Sequence, residues 1–215
     1  MSHLGKADWS DPERVKSMVQ SYHERYDADF WSALEGLVDK SKRDVIADFG
    51  CGPGLLLVDL VKRYSAHTAH ALDESEEMLR YAETFLAEAN LNSIFTHAIN
   101  FDSAEIPLAH DSVSLGFSGF MLHEVASPTN LIESIYSIIE LGGVYVVYDF
   151  VSGNKDAFVE AMVARGMSAT KAEARYPHMC KHSVEDIEHL LQTAGFTGVE
   201  SVKLNEMRAV VAGIK

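Results

Sequence analysis

The stretch Asp48-Phe49-Gly50-Cys51-Gly52-Pro53-Gly54 decides the fold. It follows Val45 to Phe49, a short apolar run that reads as a strand, and opens Leu55 to Tyr64, which reads as a helix. A strand that turns through glycines into a helix is the context a nucleotide-type loop requires. Gly50 and Gly52 permit a sharp turn and let a ligand approach bare backbone. Pro53 pre-sets φ for a first helical turn, and the helix start beyond it offers N–H groups and partial positive charge. Two glycine fingerprints compete. The dinucleotide form needs glycine at position 55, where Leu55 stands. The form present is D-x-G-x-G-x-G, with Asp48 two residues ahead of Gly50. That carboxylate is unwelcome beside a pyrophosphate and welcome beside an ammonium or a sulfonium. The charge logic therefore favours S-adenosylmethionine over NAD.

Outward from this loop, strands and helices alternate. Ala69 to Leu72 reads as a second strand ending at Asp73, Glu76 to Ala89 as a helix and Ile94 to Ile99 as a third strand. Val113 to Phe120 is a fourth strand, Leu131 to Ile139 a helix and Val144 to Phe150 a fifth strand. Such alternation implies a parallel sheet with right-handed crossovers. Helices are expected at Lys155 to Arg165 and Ser183 to Ala194, the latter with a Ser183/Asp186 capping box and Gly195 at its end. Val199 to Leu204 and Arg208 to Ile214 read as a closing antiparallel hairpin turned at Asn205-Glu206. The first forty residues read as helices. Asp11 and Pro12 supply a cap and a first turn, and Phe30, Trp31, Leu34, Leu37 and Val38 an apolar stripe. The expected organisation is one domain: a helical lid over residues 1–43, a cofactor-binding core over 44–151, and acceptor-side helices with the hairpin over 152–215.

Two further acids join the loop at the same sheet edge, where ligands bind in open α/β folds. Asp73 stands 21 residues after Gly52 and can accept both hydroxyls of a ribose, with Ser75 free to cap the next helix. Asp102, in Asn100-Phe101-Asp102-Ser103, can accept an adenine amino group between apolar neighbours.

Five ordered segments, Ala47 to Gly54, Ala71 to Leu79, Asn100 to Asp111, Ser118 to Val125 and Leu141 to Phe150, resemble a class I S-adenosylmethionine-dependent methyltransferase. Within that class the chain is similar to the group that includes the ubiquinone/menaquinone-biosynthesis methyltransferases. The resemblance covers about half the chain. It implies a Rossmann-like α/β sheet of order 3-2-1-4-5-7-6 with strand 7 antiparallel. It implies that Asp48, Gly50, Cys51, Gly52 and Gly54 hold the methionine part of the cofactor. Asp73 and Glu74 would lie at the ribose, Met78 near the adenine, Asp102 and Ser103 at the adenine edge, and Ser118 near the sulfonium. One departure is Leu141 before Gly142-Gly143, where family members often have proline.

Methyl transfer from a sulfonium needs alignment above all. His123, after the fourth strand, is the first candidate for a base or an acceptor orienter. Tyr22, Tyr26, Trp31, Asp149 and His178 are candidates for the acceptor pocket. Tyr22 and Tyr26 are four apart on one helix face in the lid segment. Phe158, Met162, Met167, Tyr176 and Met179 are expected on the opposite wall.

Charge and composition narrow the partners. With 18 Lys+Arg against 32 Asp+Glu the formal net charge is −14, which disfavours nucleic acid and anionic membranes. A small-molecule acceptor is the expected partner. No apolar run or leader-like start is visible, so a cytoplasmic protein is expected. Two cysteines exclude a four-cysteine zinc site, and His178-x-Cys180-x-His182 reads as a polar loop before a helix, so no metal is expected. Two other classes stand beside the methyltransferase reading. An NAD(P)-linked oxidoreductase is disfavoured by Leu55 and Asp48. A catalytically silent binding module is disfavoured by the intact Asp48, Asp73 and Asp102.

Overall fold

The computed structural model describes residues 11–41, 43–88, 93–103 and 105–215. The expected lid segment over residues 1–10 and the helix end at Ala89 lie outside the described residues. Seven strands form one sheet of order β3-β2-β1-β4-β5-β7-β6. They are β1 (Val45–Phe49), β2 (Thr68–Asp73), β3 (Ser93–Ala98), β4 (Val113–Gly119), β5 (Ile139–Phe150), β6 (Thr197–Asn205) and β7 (Arg208–Ile214). The first five run parallel, and β7 is antiparallel to both β5 and β6. The reversal of strand order falls between β1 and β4, which places the crevice above the glycine loop.

The described helices are α1 (Pro12–Gln20), α2 (Tyr22–Arg25), α3 (Ala28–Leu37), α4 (Leu55–Tyr64), α5 (Glu76–Ala87), α6 (Pro128–Ile138), α7 (Lys155–Ala164), α8 (Ala169–Met179) and α9 (Val184–Ala194). Their ends follow local chemistry. Asp11 caps α1 by accepting the Glu13 N–H at 3.0 Å, with Pro12 at the first position. Ser75 caps α5. Ser183 and Asp186 make the reciprocal capping box of α9, and Gly195 ends it with φ +110°.

Two cores sandwich the sheet. Alternate residues of β1, β4 and β5 (Ile46, Phe117, Tyr148) pack beneath α3, α4 and α5 with Phe30, Leu34 and Leu57. Their neighbours (Phe49, Tyr145, Val147) meet α6 and α9 through Ile132, Ile135 and Ile187. A third cluster joins α7 and α8 to the end of β5 through Phe158, Met162, Cys180 and Phe150.

Three local expectations change. No loop separates α6 from β5: the strand begins at Ile139, directly after the helix, and its register to β4 shifts between Val113 and Leu115. Gly142, at φ +81°, is where that irregular lead-in bends. The segment 169–179, given no element in the sequence reading, is helix α8. Its mixed polar sequence and Pro177 conceal it, yet Ser168 caps it and the fully buried Ala172 anchors it. The hairpin turn falls at Glu206-Met207, one residue later than expected.

Candidate active site

The glycine loop is tied down before any ligand enters. The N–H groups of Gly50 and Cys51 donate to the Leu72 carbonyl at 2.8 and 3.0 Å, which fastens the loop to the end of β2. Gly50, Gly52 and Gly54 all have positive φ, +79°, +52° and +81°, a region side chains other than glycine rarely adopt. They serve different ends. A Cβ on Gly54 would lie 2.8 Å from the Cα of Ala82 in α5, so this glycine serves helix packing and caps α4. A Cβ on Gly52 would meet only the Cε of Met18 at 3.0 Å, so here bare backbone faces the cleft. Pro53 lies in the turn, two residues before α4, and not in the helix as the sequence suggested.

Asp73 is the second tether. Its carboxylate accepts the Gly52 N–H at 2.8 Å and the Ser75 N–H at 2.9 Å. Each oxygen keeps lone-pair capacity for a further donor. Asp48 lies almost fully buried beneath the loop, and burial, then the nearby Asp73 charge, pushes its carboxyl up to about 8. A cationic ligand would lower that value again.

Above the loop lies a cleft of about 970 Å³ including its open mouth. Gly50, Cys51, Gly52, Asp73, Glu74 and Met78 line it, as the sequence reading expected. Tyr22 and Tyr26 close over it from α2 and the turn that follows, with Met18 from α1. The Tyr22 hydroxyl donates to Asp59 of α4 at 2.5 Å, which latches the lid to the core. The lid's base is clamped as well: the Tyr148 hydroxyl donates to the Arg25 carbonyl at 2.9 Å, and Arg208 pairs with Asp27 at 3.2 Å.

Across the mouth, β4 ends in Gly119-Phe120-Met121, all three facing the cleft. Phe120 carries φ +54°, a strained conformation for a bulky residue that is met at binding and catalytic sites. Its ring packs on Tyr148 and Phe150 at centroid distances of 4.6 and 4.9 Å. A short 3-10 turn, Leu122–Glu124, follows. His123 is buried there, with Nδ1 2.6 Å from Asp149 and Nε2 3.5 Å from Glu124. Burial lowers the tendency of His123 to hold a proton, but the two carboxylates outweigh it and raise the imidazole to about 10. Both ring nitrogens are thus engaged, which suits the orienting role among the two expected for His123. Glu124, not His123, lines the cleft. Its carboxyl is held down to about 2, chiefly by its bond to His123, with His178 of α8 adding a contact at 3.1 Å.

Several expected residues stand elsewhere. Ser118 is buried, with its hydroxyl 2.8 Å from the Tyr145 hydroxyl, and is not among the cleft's lining residues. Its side chain belongs to the opposite sheet face because strand residues alternate. Asp102 and Ser103 are exposed and also outside the lining. Asp102 accepts the Ala126 N–H at 2.8 Å and so braces the loop after β4, while the Ser103 hydroxyl donates to Asn100. Trp31 faces away from the cleft and stacks under Arg63 at 4.2 Å. Asp149 is buried behind His123 and not in the wall. His178 is not among the cleft's lining residues; it meets Glu124 at 3.1 Å and stands edge-on to the His123 ring. Phe158, Met162, Met167, Tyr176 and Met179 form the third core cluster and not a pocket wall. Cys180 is buried there, which pushes its thiol up to about 12. Sequence reasoning placed Glu124 beside His123 at the mouth but gave the role to His123, and it did not single out Phe101 or Met18 for the cleft. Glu124 was next to the residue chosen, and only the helical turn decides which of the two faces out.

A seven-stranded sheet of order 3-2-1-4-5-7-6, with a glycine loop and an acid ending β2, is the Rossmann-like arrangement of S-adenosylmethionine-dependent methyltransferases, to which the chain is similar. Residues 46–143 match the family described as methyltransferase domain. A malonyl-[acyl-carrier protein] O-methyltransferase of Marinomonas sp. is 33% identical over 120 residues, 55% of this chain and 42% of the relative. An uncharacterized chloroplastic methyltransferase of Arabidopsis thaliana is 32% identical over 109 residues, 50% of this chain and 31% of the relative. The matches thus span less than half the length of these relatives. A SAM-dependent methyltransferase from Aquifex aeolicus shares the fold at a TM-score of 0.71 with 19% identity, covering 95% of this chain and 98% of that one.

Proposed function

We propose that the chain transfers a methyl group from S-adenosylmethionine to a small-molecule acceptor by in-line displacement. The observation that carries this is the cleft itself: bare glycine backbone and Asp73 on one side, a latched aromatic lid above, and a strained, polar-tipped turn opposite. The residues fit the cofactor. Gly52 leaves room that a side chain would fill, and Asp73 retains acceptor capacity for ribose hydroxyls. Buried Asp48 offers a carboxylate to the cationic part, and Met78 with Phe101 gives apolar contact for the base. When bound, the cofactor supplies an activated methyl group on a sulfonium. The chain's own residues then bind, orient and exclude water. Residues 44–151 hold the cofactor, the N-terminal helices roof it, and the acceptor enters at the mouth between α1–α2 and the turn at Glu124. Residues 152–215 support that turn through α8. The acidic balance favours a small molecule over nucleic acid or an anionic membrane.

Calorimetry with S-adenosylhomocysteine, followed by a labelled-methyl assay on metabolite extracts, tests this. Binding in the micromolar range and label in a low-mass product are the expected results. No binding at millimolar concentration refutes the cofactor assignment; label found only in macromolecules refutes the acceptor class.

A further inference from the structure

Once the inner half of the cleft is assigned to the cofactor, the outer half is left with Tyr22, Arg25, Tyr26, Phe120 and Glu124 around it. We propose that the methyl acceptor is an amine, and that the Glu124 carboxylate is the specificity-determining group that holds its cationic nitrogen. This rests on the methyltransferase reading and goes further, to the chemical class of acceptor.

The charges around the cleft support it. Glu124, Asp73 and Glu74 line the wall, with Arg25 as the cation among the lining residues. Arg25 already donates through Nη2 to the Met18 carbonyl at 2.6 Å. An anionic acceptor would therefore approach three carboxylates against one guanidinium, whose Nη2 is bonded to Met18 and whose Nε is unpartnered. A positive nitrogen meets the opposite situation. Glu124 is also held in place from behind. Asp149 grips His123, His123 approaches Glu124 through its other nitrogen, and His178 contacts the second carboxylate oxygen. The chain Asp149–His123–Glu124–His178 carries one more negative charge than positive when His178 is neutral. That surplus sits at the cleft end. Tyr26 and Phe120, 6.2 Å apart between ring centroids, add aromatic surface suited to a cation.

The proton economy points the same way. A hydroxyl acceptor needs a base near neutrality. Two carboxylates hold the His123 ring and favour its proton, and the same contact holds the Glu124 carboxyl well below the usual range. An amine held as its ammonium by Glu124 passes its proton to water at the open mouth and reacts from the free-base form, so neither side chain has to act as the base. Its lone pair forms the N–C bond while the C–S bond breaks and that electron pair stays on sulfur. Any proton carried by the amine is lost to water before the step, and the positive charge moves from sulfur to nitrogen. A fixed carboxylate beside that nitrogen stabilises the charge as it develops.

The test uses three compounds on one scaffold, 2-phenylethylamine, 2-phenylethanol and 3-phenylpropionate, titrated by calorimetry into the full chain saturated with S-adenosylhomocysteine. The amine is expected to bind at least about tenfold tighter than the other two, the value of one charge-assisted hydrogen bond. Glu124→Gln should erase that preference while the S-adenosylhomocysteine Kd stays unchanged. Should that variant fail to fold, His178→Ala, which removes an exposed partner of Glu124, should reduce the preference. Equal binding of the three compounds, tighter binding of the carboxylate, or a preference that survives Glu124→Gln overturns the proposal. Failure of S-adenosylhomocysteine itself to bind overturns the cofactor reading instead.

Discussion

Replacing Asp73 by alanine separates the two tasks its carboxylate performs. In the folded chain it accepts the N–H groups of Gly52 and Ser75, at 2.8 and 2.9 Å. Hydrogen bonds to a charged group contribute about 1.5–3 kcal/mol each. Asp73 is only partly buried, so water replaces some of what is lost, and a total of about 2–4 kcal/mol is expected for the pair. For a chain of this length, 1 kcal/mol shifts Tm by about 2–4 °C, so Tm should fall by about 4–16 °C. Ribose hydroxyls would lose the same acceptor, and S-adenosylhomocysteine should bind about 10- to 100-fold more weakly. Asp73→Asn keeps the size and one carbonyl acceptor but sets its NH2 against the second N–H, and should recover at most about half of the Tm loss and little of the affinity. Differential scanning fluorimetry and calorimetry read the two effects independently. A lowered Tm with an unchanged Kd would show that Asp73 is a loop tether alone. An unchanged Tm would refute the tether.

Other outcomes follow from the same geometry. Gly54→Ala should lower stability by at least about 2 kcal/mol, since its Cβ would press on the backbone of α5 in a strained φ region. Gly52→Ala meets only the flexible end of Met18 and should cost cofactor affinity more than stability; urea melts beside calorimetry distinguish the two. Because folding raises the His123 pKa from 6.5 to about 10, its stabilisation is complete below pH 6.5 and is lost as pH rises towards 10. The stability difference between the chain and its Asp149→Asn variant should therefore shrink across that window, and a difference flat from pH 6 to 10 would contradict the pairing. Deleting residues 1–20 removes α1 and Met18 but spares the clamped Arg25–Asp27 turn. The sheet should still melt cooperatively, while S-adenosylhomocysteine binding weakens and methyl transfer is lost; full turnover would place the lid elsewhere.

Much of this molecule was legible in the chain because its signals are local. The strand–glycine–helix transition at Val45 to Leu55, the caps at Asp11, Ser75 and Ser183, and the period-two and helical apolar patterns each act within a few residues. They sufficed for the parallel sheet and the closing hairpin and put Gly50, Gly52 and Asp73 at one sheet edge, whereas Met78 entered only through the family resemblance. Helix α8 escaped because no apolar period marks it; its formation depends on packing Ala172 and Tyr176 against α7 and the end of β5.

The outer half of the cleft was decided by tertiary structure alone. His123 and Glu124 are neighbours in sequence, and nothing local says which one faces the ligand. Asp149 settles it from β5, 26 residues away, by taking both the backbone N–H and the ring of His123. That bond turns the imidazole inward and leaves the Glu124 carboxylate at the mouth. Ser118 and Trp31 were misplaced for the same reason. Which face of a strand or helix meets solvent, core or cleft depends on what packs against it, and that energy resides in residues far apart along the chain.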